Sequence, residues 1–142
     1  MVGIVLVTHG RLGVELLRTA EGIVGPLEGA RAVCIEVQES MEQIRLKMAK
    51  AIAEVDAGDG VLVLTDMFGG TPANLALTFL DERRVEVVTG ANLPMLLKLG
   101  TTRGEAATLG EIAHLIAGYG QKNIVFASEL LTGSRGEGPA RA

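Results

Sequence analysis

Short apolar runs alternate along the chain with longer segments whose apolar residues recur at helical spacing. Four of these runs are rich in β-branched residues and are bounded by glycine or polar residues, which is typical of buried strands. The four predicted strands cover residues 4–7, 32–37, 61–65 and 85–89.

The alternation of strand and helix predicts an α/β fold, in which a doubly wound, mainly parallel sheet carries helices on both faces. By analogy with flavodoxin-like proteins we expect the strand order 2-1-3-4, which makes strands one and three neighbours. A fifth apolar run, residues 123–127, comes late in the chain with no crossover helix after it. We predict that this run forms a strand at the edge of the sheet or reaches a partner.

Signals for the start and the end of helices agree with this order of elements. A first stripe of apolar residues begins at Leu12 and ends at Gly25-Pro26, the expected terminating pair. Ser40 and Gln43 form a capping-box pattern ahead of a second stripe. These two segments therefore predict one helix after each of the first two strands.

Further helix signals follow the third and fourth strands. Thr71 is a good N-cap and Pro72 is tolerated at the first helical position, so we expect a short helix that ends near Asp81. Pro94 predicts a brief turn of helix after the fourth strand. The signals for a last helix are Thr108, Glu111 and, at its end, Gly120.

Composition narrows the class of protein. The chain has 142 residues, of which 48 % are hydrophobic, and this is enough for one compact core but too short for two typical domains. We predict a single domain over residues 1–130. Residues 131–142 are mostly small and polar, so we expect them to form a flexible tail.

The charge pattern argues against nucleic acid as a partner, because the net charge is −4 and no run of Lys or Arg occurs. No apolar run approaches the roughly 18 residues that a membrane span needs, and no leader pattern precedes the first strand. We therefore expect a soluble, cytoplasmic protein without membrane insertion. Cys34 is the single cysteine, and we interpret it as a small core hydrophobe.

Candidate chemistry lies where the first and third strands end. His9 lies two residues past the first apolar run, and Asp66 directly follows the third. Ligands of parallel sheets bind outside the carboxyl ends of the strands, and in the predicted order these two ends are adjacent. We expect Asp66 to bond one ring nitrogen of His9, which leaves the other nitrogen with a free lone pair. The pair is thus a candidate nucleophile with its orienting group.

A glycine pair precedes the third predicted helix. Gly69 and Gly70 lie at the amino end of that helix, whose unpaired backbone N–H groups favour an anion, and Thr71 adds a hydroxyl donor. We therefore predict that a phosphoryl group binds there. The chain has no nucleotide-binding loop pattern and no acidic cluster of magnesium-ligand type, so ATP is not the obvious phosphoryl source and we expect neither a metal nor a cofactor.

Four stretches of the chain carry a family resemblance, namely residues 3–10, 16–21, 61–74 and 90–96. On these stretches the chain resembles the IIA proteins of the mannose class of the bacterial phosphoenolpyruvate-dependent sugar phosphotransferase system, over most of residues 1–127. The resemblance implies that His9 is phosphorylated by the phosphocarrier protein HPr and passes the group to a IIB protein. It also implies that Asp66 is the hydrogen-bonded companion of His9 and that Thr71 lies near the phosphoryl group, with Gly69 and Gly70 allowing backbone approach.

The same resemblance implies a homodimer, in which the strand at 123–127 crosses antiparallel between subunits. It further implies association with membrane subunits IIC and IID. No IIB domain follows within the chain, so we expect a free-standing IIA protein. Phe68 stands where a Trp is familiar in the enteric members, which makes Phe68 a candidate partner contact and leaves the cognate IIB protein open.

Three further residues are candidates for the site. Gly10 follows His9 and allows close approach of a reacting group. Arg11 is a candidate phosphate or partner contact, although an exposed Arg after a loop is usually solvated. Asn92, after the fourth strand, either joins the site or caps the turn before Pro94.

Other functions fit a His-Gly pair after the first strand. A regulatory phosphoprotein, or the phosphodonor of a dihydroxyacetone kinase, would share the same site residues. A histidine phosphatase or a tetrapyrrole metal chelatase is the remaining enzyme interpretation, but the phosphatase family expects Arg where Thr8 stands, and both families call for a second site histidine. The other histidine, His114, is predicted to be a surface or boundary residue of the last helix.

Overall fold

The computed structural model describes residues 1–80, 84–105 and 107–133 of the chain. Within these residues strands and helices alternate as the sequence predicts, and the strands are β1 (Gly3–His9), β2 (Ala30–Ile35), β3 (Val61–Thr65) and β4 (Val85–Thr89). The helices are α1 (Leu12–Val24), α2 (Met41–Val55), α3 (Thr71–Leu77), α4 (Leu93–Thr102), α5 (Leu109–Lys122) and α6 (Ala127–Gly133).

The four strands form one parallel sheet in the order β2-β1-β3-β4, which confirms the predicted order. β1 pairs with β2 from Ile4 opposite Ala30 to His9 opposite Ile35. On its other side β1 pairs with β3, and Val7 lies opposite Thr65. The carboxyl ends of β1 and β3 are therefore neighbours, so the residues that follow them share one edge of the sheet.

Both faces of the sheet are covered, as predicted. Val5 and Val7 pack with residues of α2 and α3 in one cluster. Ile4 and Leu6 pack with residues of α1, α4 and α5 in the other. Because side chains alternate along a strand, Thr8 lies on the α1 face and His9 on the α2 and α3 face.

The predicted caps of α2 and α5 are confirmed. The Ser40 and Gln43 pair and the Thr108 and Glu111 pair each form a complete capping box. α3 differs from the prediction, since Gly70 is its N-cap and Thr71 is already its first helical residue.

The predicted second strand was placed two residues too late. β2 covers Ala30–Ile35, and Val37 lies in the following loop with its side chain fully exposed. β1 ends at His9, opposite Ile35, so β2 has no strand to pair with beyond that residue. The end of the partner strand, and not the apolar character of Val37, determines where β2 ends.

Three helix ends also differ from the prediction. α3 ends at Leu77 and a turn follows, while Asp81, its predicted end, lies outside the described residues. α5 runs past Gly120 to Lys122. α4 is a helix of 10 residues instead of a brief turn, because its apolar residues are buried against the sheet: Met95, Leu96 and Leu99.

The predicted strand at 123–127 does not form in the single chain. The N–H of Asn123 donates to the carbonyl of Tyr119 at 3.2 Å, and the N–H of Ile124 donates to the carbonyl of Gln121 at 3.2 Å. These two residues therefore form the C-terminal turn of α5 instead of the start of a strand. α6 then begins at Ala127. Exchange of this segment between two subunits stays a prediction.

The predicted tail is described only at its start. Residues 131–133 belong to α6, and residues 134–142 lie outside the described residues, so the expectation of a flexible tail stays a prediction. Within the described part of the chain, no helix has both the length and the apolar character that crossing a bilayer requires.

Candidate functional site

His9 and Asp66 meet at the carboxyl edge of the sheet. His9 is the last residue of β1, and Asp66 comes directly after β3. The ring atom Nδ1 of His9 lies 2.8 Å from Oδ2 of Asp66, and the same oxygen accepts a hydrogen bond from the backbone N–H of His9 at 3.0 Å. One carboxylate oxygen therefore holds both the main chain and the ring of the histidine.

A further hydrogen bond holds the carboxylate of Asp66 in place. Its second oxygen, Oδ1, accepts a hydrogen bond from the backbone N–H of Met67 at 3.0 Å. Burial raises the pKa of Asp66, but the hydrogen bonds from the ring and main chain of His9 outweigh that effect and leave the pKa below its ordinary value of 3.8. Asp66 is thus an anion at neutral pH.

This geometry decides which ring nitrogen of His9 is free to react. An ionised carboxylate can only accept hydrogen bonds, so the 2.8 Å contact places the ring proton on Nδ1. The neutral ring then keeps its lone pair on Nε2. The side chain of His9 is 52 % exposed, whereas that of Asp66 is 10 % exposed. The arrangement is a half-exposed imidazole fixed by a nearly buried carboxylate.

Gly70 lies against the imidazole of His9. A Cβ atom at position 70 would lie 3.0 Å from Cε1 and 3.5 Å from Nε2 of the ring. Such a contact is too close for the ring to keep its place, so glycine leaves the space that the free nitrogen needs. The N-terminal N–H groups of α3, which have no partner within the helix, begin at this point.

A groove of about 360 Å³ opens beside His9. Thr71 lines it on the α3 side. Asp66, Gly70 and Thr71 thus all lie beside His9. The other wall comes from the loop after β2 and the start of α2, with Glu36, Val37 and Met41 among its residues.

This second wall lies outside the candidate residues predicted from the sequence. The signal was present, because the predicted order places the end of β2 next to the end of β1. A loop that follows β2 must therefore lie beside His9, whichever residues it contains.

Two of the weaker candidates have hydrogen-bond partners outside the site. Arg11 pairs with Glu15 through an exposed 3.3 Å contact, which is the solvated arrangement expected for such a residue. The Asn92 side chain accepts a hydrogen bond from the N–H of Met95 at 3.1 Å, so Asn92 is the N-cap of α4. Of its two alternatives, the capping one is observed.

The remaining candidates form the edge of the site. Gly10 has a φ of 53° and donates a hydrogen bond to the carbonyl of Ile35 at 2.9 Å, which turns the chain away from the sheet directly after His9. Gly69 also has a positive φ, of 91°, in the loop before α3. Phe68 is 74 % exposed in that loop and contributes an apolar surface next to the site.

In the described ranges, no three or more His, Cys, Asp and Glu side chains cluster closely enough to hold a metal ion. His114 is exposed on α5, as expected for a surface residue. Because α5 covers the face of the sheet opposite to that of His9, this second histidine does not join the site.

A parallel sheet in the order 2-1-3-4, with an oriented histidine at its switch point, defines a flavodoxin-like α/β protein. Residues 3–117 match the family model EIIA-man, described as PTS system fructose IIA component. The chain belongs to this family, the mannose-type IIA components of the sugar phosphotransferase system.

Relatives and solved structures agree with this membership. The chain is 32 % identical over 124 residues to the PTS system mannose-specific EIIAB component of Escherichia coli strain K12, and the match covers 87 % of the chain but 38 % of that protein. It is 28 % identical over 132 residues to the PTS system fructose-specific EIIA component of Bacillus subtilis strain 168, covering 92 % and 90 %. The chain thus spans well under half of the first of these relatives.

The fold is shared with solved structures of the family. The phosphotransferase system component EIIA from Streptococcus agalactiae superposes with a TM-score of 0.82 at 27 % identity, covering 90 % of this chain and 98 % of that one. The PTS IIA protein associated with the fucose utilization operon of Streptococcus pneumoniae superposes with a TM-score of 0.79 at 31 % identity, covering 91 % and 95 %.

Replacing Asp66 by Asn is expected to remove an acid-sensitive part of the stability. Since the folded-state pKa of Asp66 is below 3.8, its carboxylate stabilises the fold above that value, and the contribution is lost as the pH falls through the folded-state pKa. The difference in unfolding free energy between wild type and Asp66→Asn should therefore shrink on going from pH 5 toward about pH 2.5. Urea unfolding at each pH gives the unfolding free energies of the two proteins. Both proteins contain the other carboxylates, so the contributions of those groups cancel in the difference. A difference that is constant over this range would contradict the assignment.

Proposed function

We propose that the chain is a phosphoryl carrier, in which His9 accepts a phosphoryl group from phospho-HPr and passes it to a IIB protein for sugar uptake and phosphorylation. The observation that carries the proposal is the 2.8 Å bond between Nδ1 of His9 and Asp66, which leaves Nε2 as a half-exposed nucleophile. Membership of the IIA family supports the same chemistry.

The proposed step is an in-line displacement at phosphorus. Nε2 of His9 attacks, the Nε2–P bond forms, and the bond between phosphorus and the donor nitrogen breaks, so the donor keeps that electron pair. The ring of His9 then carries positive charge while its Nδ1–H still bonds to Asp66. The carboxylate stabilises this charge, and transfer to the IIB protein reverses the same movements.

The phosphoryl oxygens are proposed to lie over the loop that contains Gly69 and Gly70. A Cβ atom at position 70 would lie 3.5 Å from Nε2, so a group on Nε2 comes close to the backbone there. Thr71 lines the groove beside His9 and offers its hydroxyl and its N–H as donors. Positioning by these groups makes up most of the proposed catalysis, because phosphoryl transfer needs little other covalent chemistry from the protein.

Protein partners are supported by the apolar side chains around His9. Val37 and Met41 are exposed on one side of the site, and Met67 and Phe68 are exposed on the other. Such a surface around a reactive group suits contact with proteins. We infer that HPr and the IIB protein bind here in turn in the cytoplasm, and that the IIB protein links the carrier to membrane subunits IIC and IID.

A histidine phosphatase or a metal chelatase fits this site less well. Both need a second histidine in the active site, and His114 lies on α5, which covers the opposite face of the sheet. Relatives of the chain include mannose-specific and fructose-specific components of the phosphotransferase system, which favours sugar transport over a purely regulatory role.

The first test is phosphorylation of His9. We expect wild type to gain one phosphoryl group when incubated with phosphoenolpyruvate, enzyme I and HPr, and we expect His9→Ala to gain none, since the nucleophile is absent. His114→Gln is the matched control and should be labelled like wild type. Intact-mass measurement at alkaline pH, followed by mapping of the modified residue, reads out the result. Acid-labile phosphate on His9→Ala would overturn the proposal.

Replacing Asp66 should slow phosphoryl transfer to His9 without abolishing it. In Asp66→Asn the amide no longer stabilises positive charge on the ring, and its NH₂ group competes as a donor, so we expect transfer to be slower by about 10²-fold or more. The rate of label incorporation under single-turnover conditions measures this, with circular dichroism to show that the fold is kept. An unchanged rate in folded Asp66→Asn would remove Asp66 from the mechanism.

We also propose that the chain forms a homodimer through the segment 123–127. Ile124 and Phe126 are 78 % and 68 % exposed in the single chain, and β4 is an edge strand with one side free to pair. Light scattering after size exclusion should give twice the mass of one chain. Phe126→Glu should shift this toward the monomer, and Leu115→Glu, on the exposed surface of α5, should not. A monomeric wild type at micromolar concentration would contradict the proposal.

A further inference from the structure

Thr8 is a fully buried polar residue directly before His9, and the proposed transfer step does not use it. Its side chain lies on the opposite face of the sheet from the imidazole, beneath the first turn of α1. There its Oγ1 accepts a hydrogen bond from the backbone N–H of Gly13, with a distance of 2.7 Å between nitrogen and oxygen. The bond bridges the short loop of Gly10 and Arg11, which connects His9 at the end of β1 to the start of α1.

This bond takes the place of an N-cap for α1. The residue at the N-cap position, Arg11, makes no side-chain hydrogen bond to the helix amides, and its guanidinium pairs with Glu15 instead. The first N–H groups of a helix have no acceptor within the helix, and Gly13 is buried from water. Thr8 supplies the missing acceptor from the strand below.

Thr8 and Gly13 fit each other closely. A Cβ atom at position 13 would lie 3.0 Å from Oγ1 and 3.2 Å from Cγ2 of Thr8. Any side chain at position 13 would therefore press on the threonine. The helix can approach the strand to hydrogen-bond distance because one partner has no side chain and the other has a short hydroxyl.

The Thr8 to Gly13 bond holds the start of α1 against β1, and the short loop before α1 begins directly after His9, the proposed nucleophile. Asp66 holds the ring and the N–H of His9, and the carbonyl of Ile35 holds the N–H of Gly10 at 2.9 Å. The Thr8 to Gly13 bond adds the attachment to α1. These four hydrogen bonds together fasten the turn after His9 to the sheet and to α1.

We propose that Thr8 is a positioning residue for His9, which keeps Nε2 aimed at the incoming phosphoryl group by anchoring α1 to β1. The inference rests on the proposed phosphoryl transfer. Thr8 touches neither the phosphoryl group nor the imidazole, so it acts through the loop. Small displacements of a reacting group lower transfer rates steeply, and the loss of this anchor should therefore appear in the rate of the chemical step.

The test compares two changes at position 8 with one control. Thr8→Val keeps nearly the same shape but removes the acceptor, and it should lower the maximal rate of His9 phosphorylation by about tenfold or more. Thr8→Ser keeps the hydroxyl and should restore the rate to within about twofold of wild type. Thr102→Val removes a threonine hydrogen bond to the carbonyl of Lys98, in α4, and should leave the rate unchanged.

Rates are measured with phospho-HPr at varied concentration, so that kcat and KM are obtained separately. A positioning role predicts a lower kcat with an unchanged KM in Thr8→Val, together with rescue by serine. Wild-type kcat in folded Thr8→Val, or a kcat in Thr8→Ser as low as in Thr8→Val, would overturn the inference.

Gly13→Ala provides a second test if Thr8→Val does not fold. The added methyl group presses on Oγ1 from the other side, so kcat should fall there too, and a wild-type kcat in folded Gly13→Ala would also overturn the inference. The proposed function fails differently, because in that case wild type itself would not be labelled on His9.

Discussion

The bond between Asp66 and His9 is the contact on which the site depends. One carboxylate oxygen accepts from both the main chain and the ring of the histidine, while the other oxygen is held by the N–H of Met67. The two residues are 57 positions apart in the chain. They meet because β1 and β3 are parallel neighbours, so the order of the strands is itself a requirement of the chemistry.

The central strands provide the rigid base that this contact needs. Ile4, Val5, Leu6 and Val7 are completely buried, with helices on both faces of the sheet. Since neighbouring side chains point to opposite faces, the last two residues of β1 lie beside different helices. Thr8 binds the start of α1, and His9 faces the groove beside α3. The imidazole of His9 is thus half-exposed, while the residue before it is part of the core.

Close approach in this site relies on the absence of side chains at two positions. Gly70 leaves room for the imidazole, and Gly13 leaves room for the hydroxyl of Thr8. Around these tight contacts the surface is apolar and open, with Val37 and Met41 on one side and Phe68 on the other. A ring held by hydrogen bonds inside a surface that proteins can cover fits the proposed role of a phosphoryl carrier.

Local patterns in the sequence determined the types of the elements and the candidate pair of site residues. The buried strands, both capping boxes, and the positions of His9 at the end of β1 and of Asp66 after β3 follow from residues close together in the chain. The tertiary structure decided what depends on distant partners. β2 ends at Ile35 because β1 ends beside it, and α4 is long because the sheet buries its apolar face. The wall of Glu36, Val37 and Met41 and the bond from Thr8 to Gly13 exist only once strands and helices are packed, since no local pattern records which residues come to lie opposite each other.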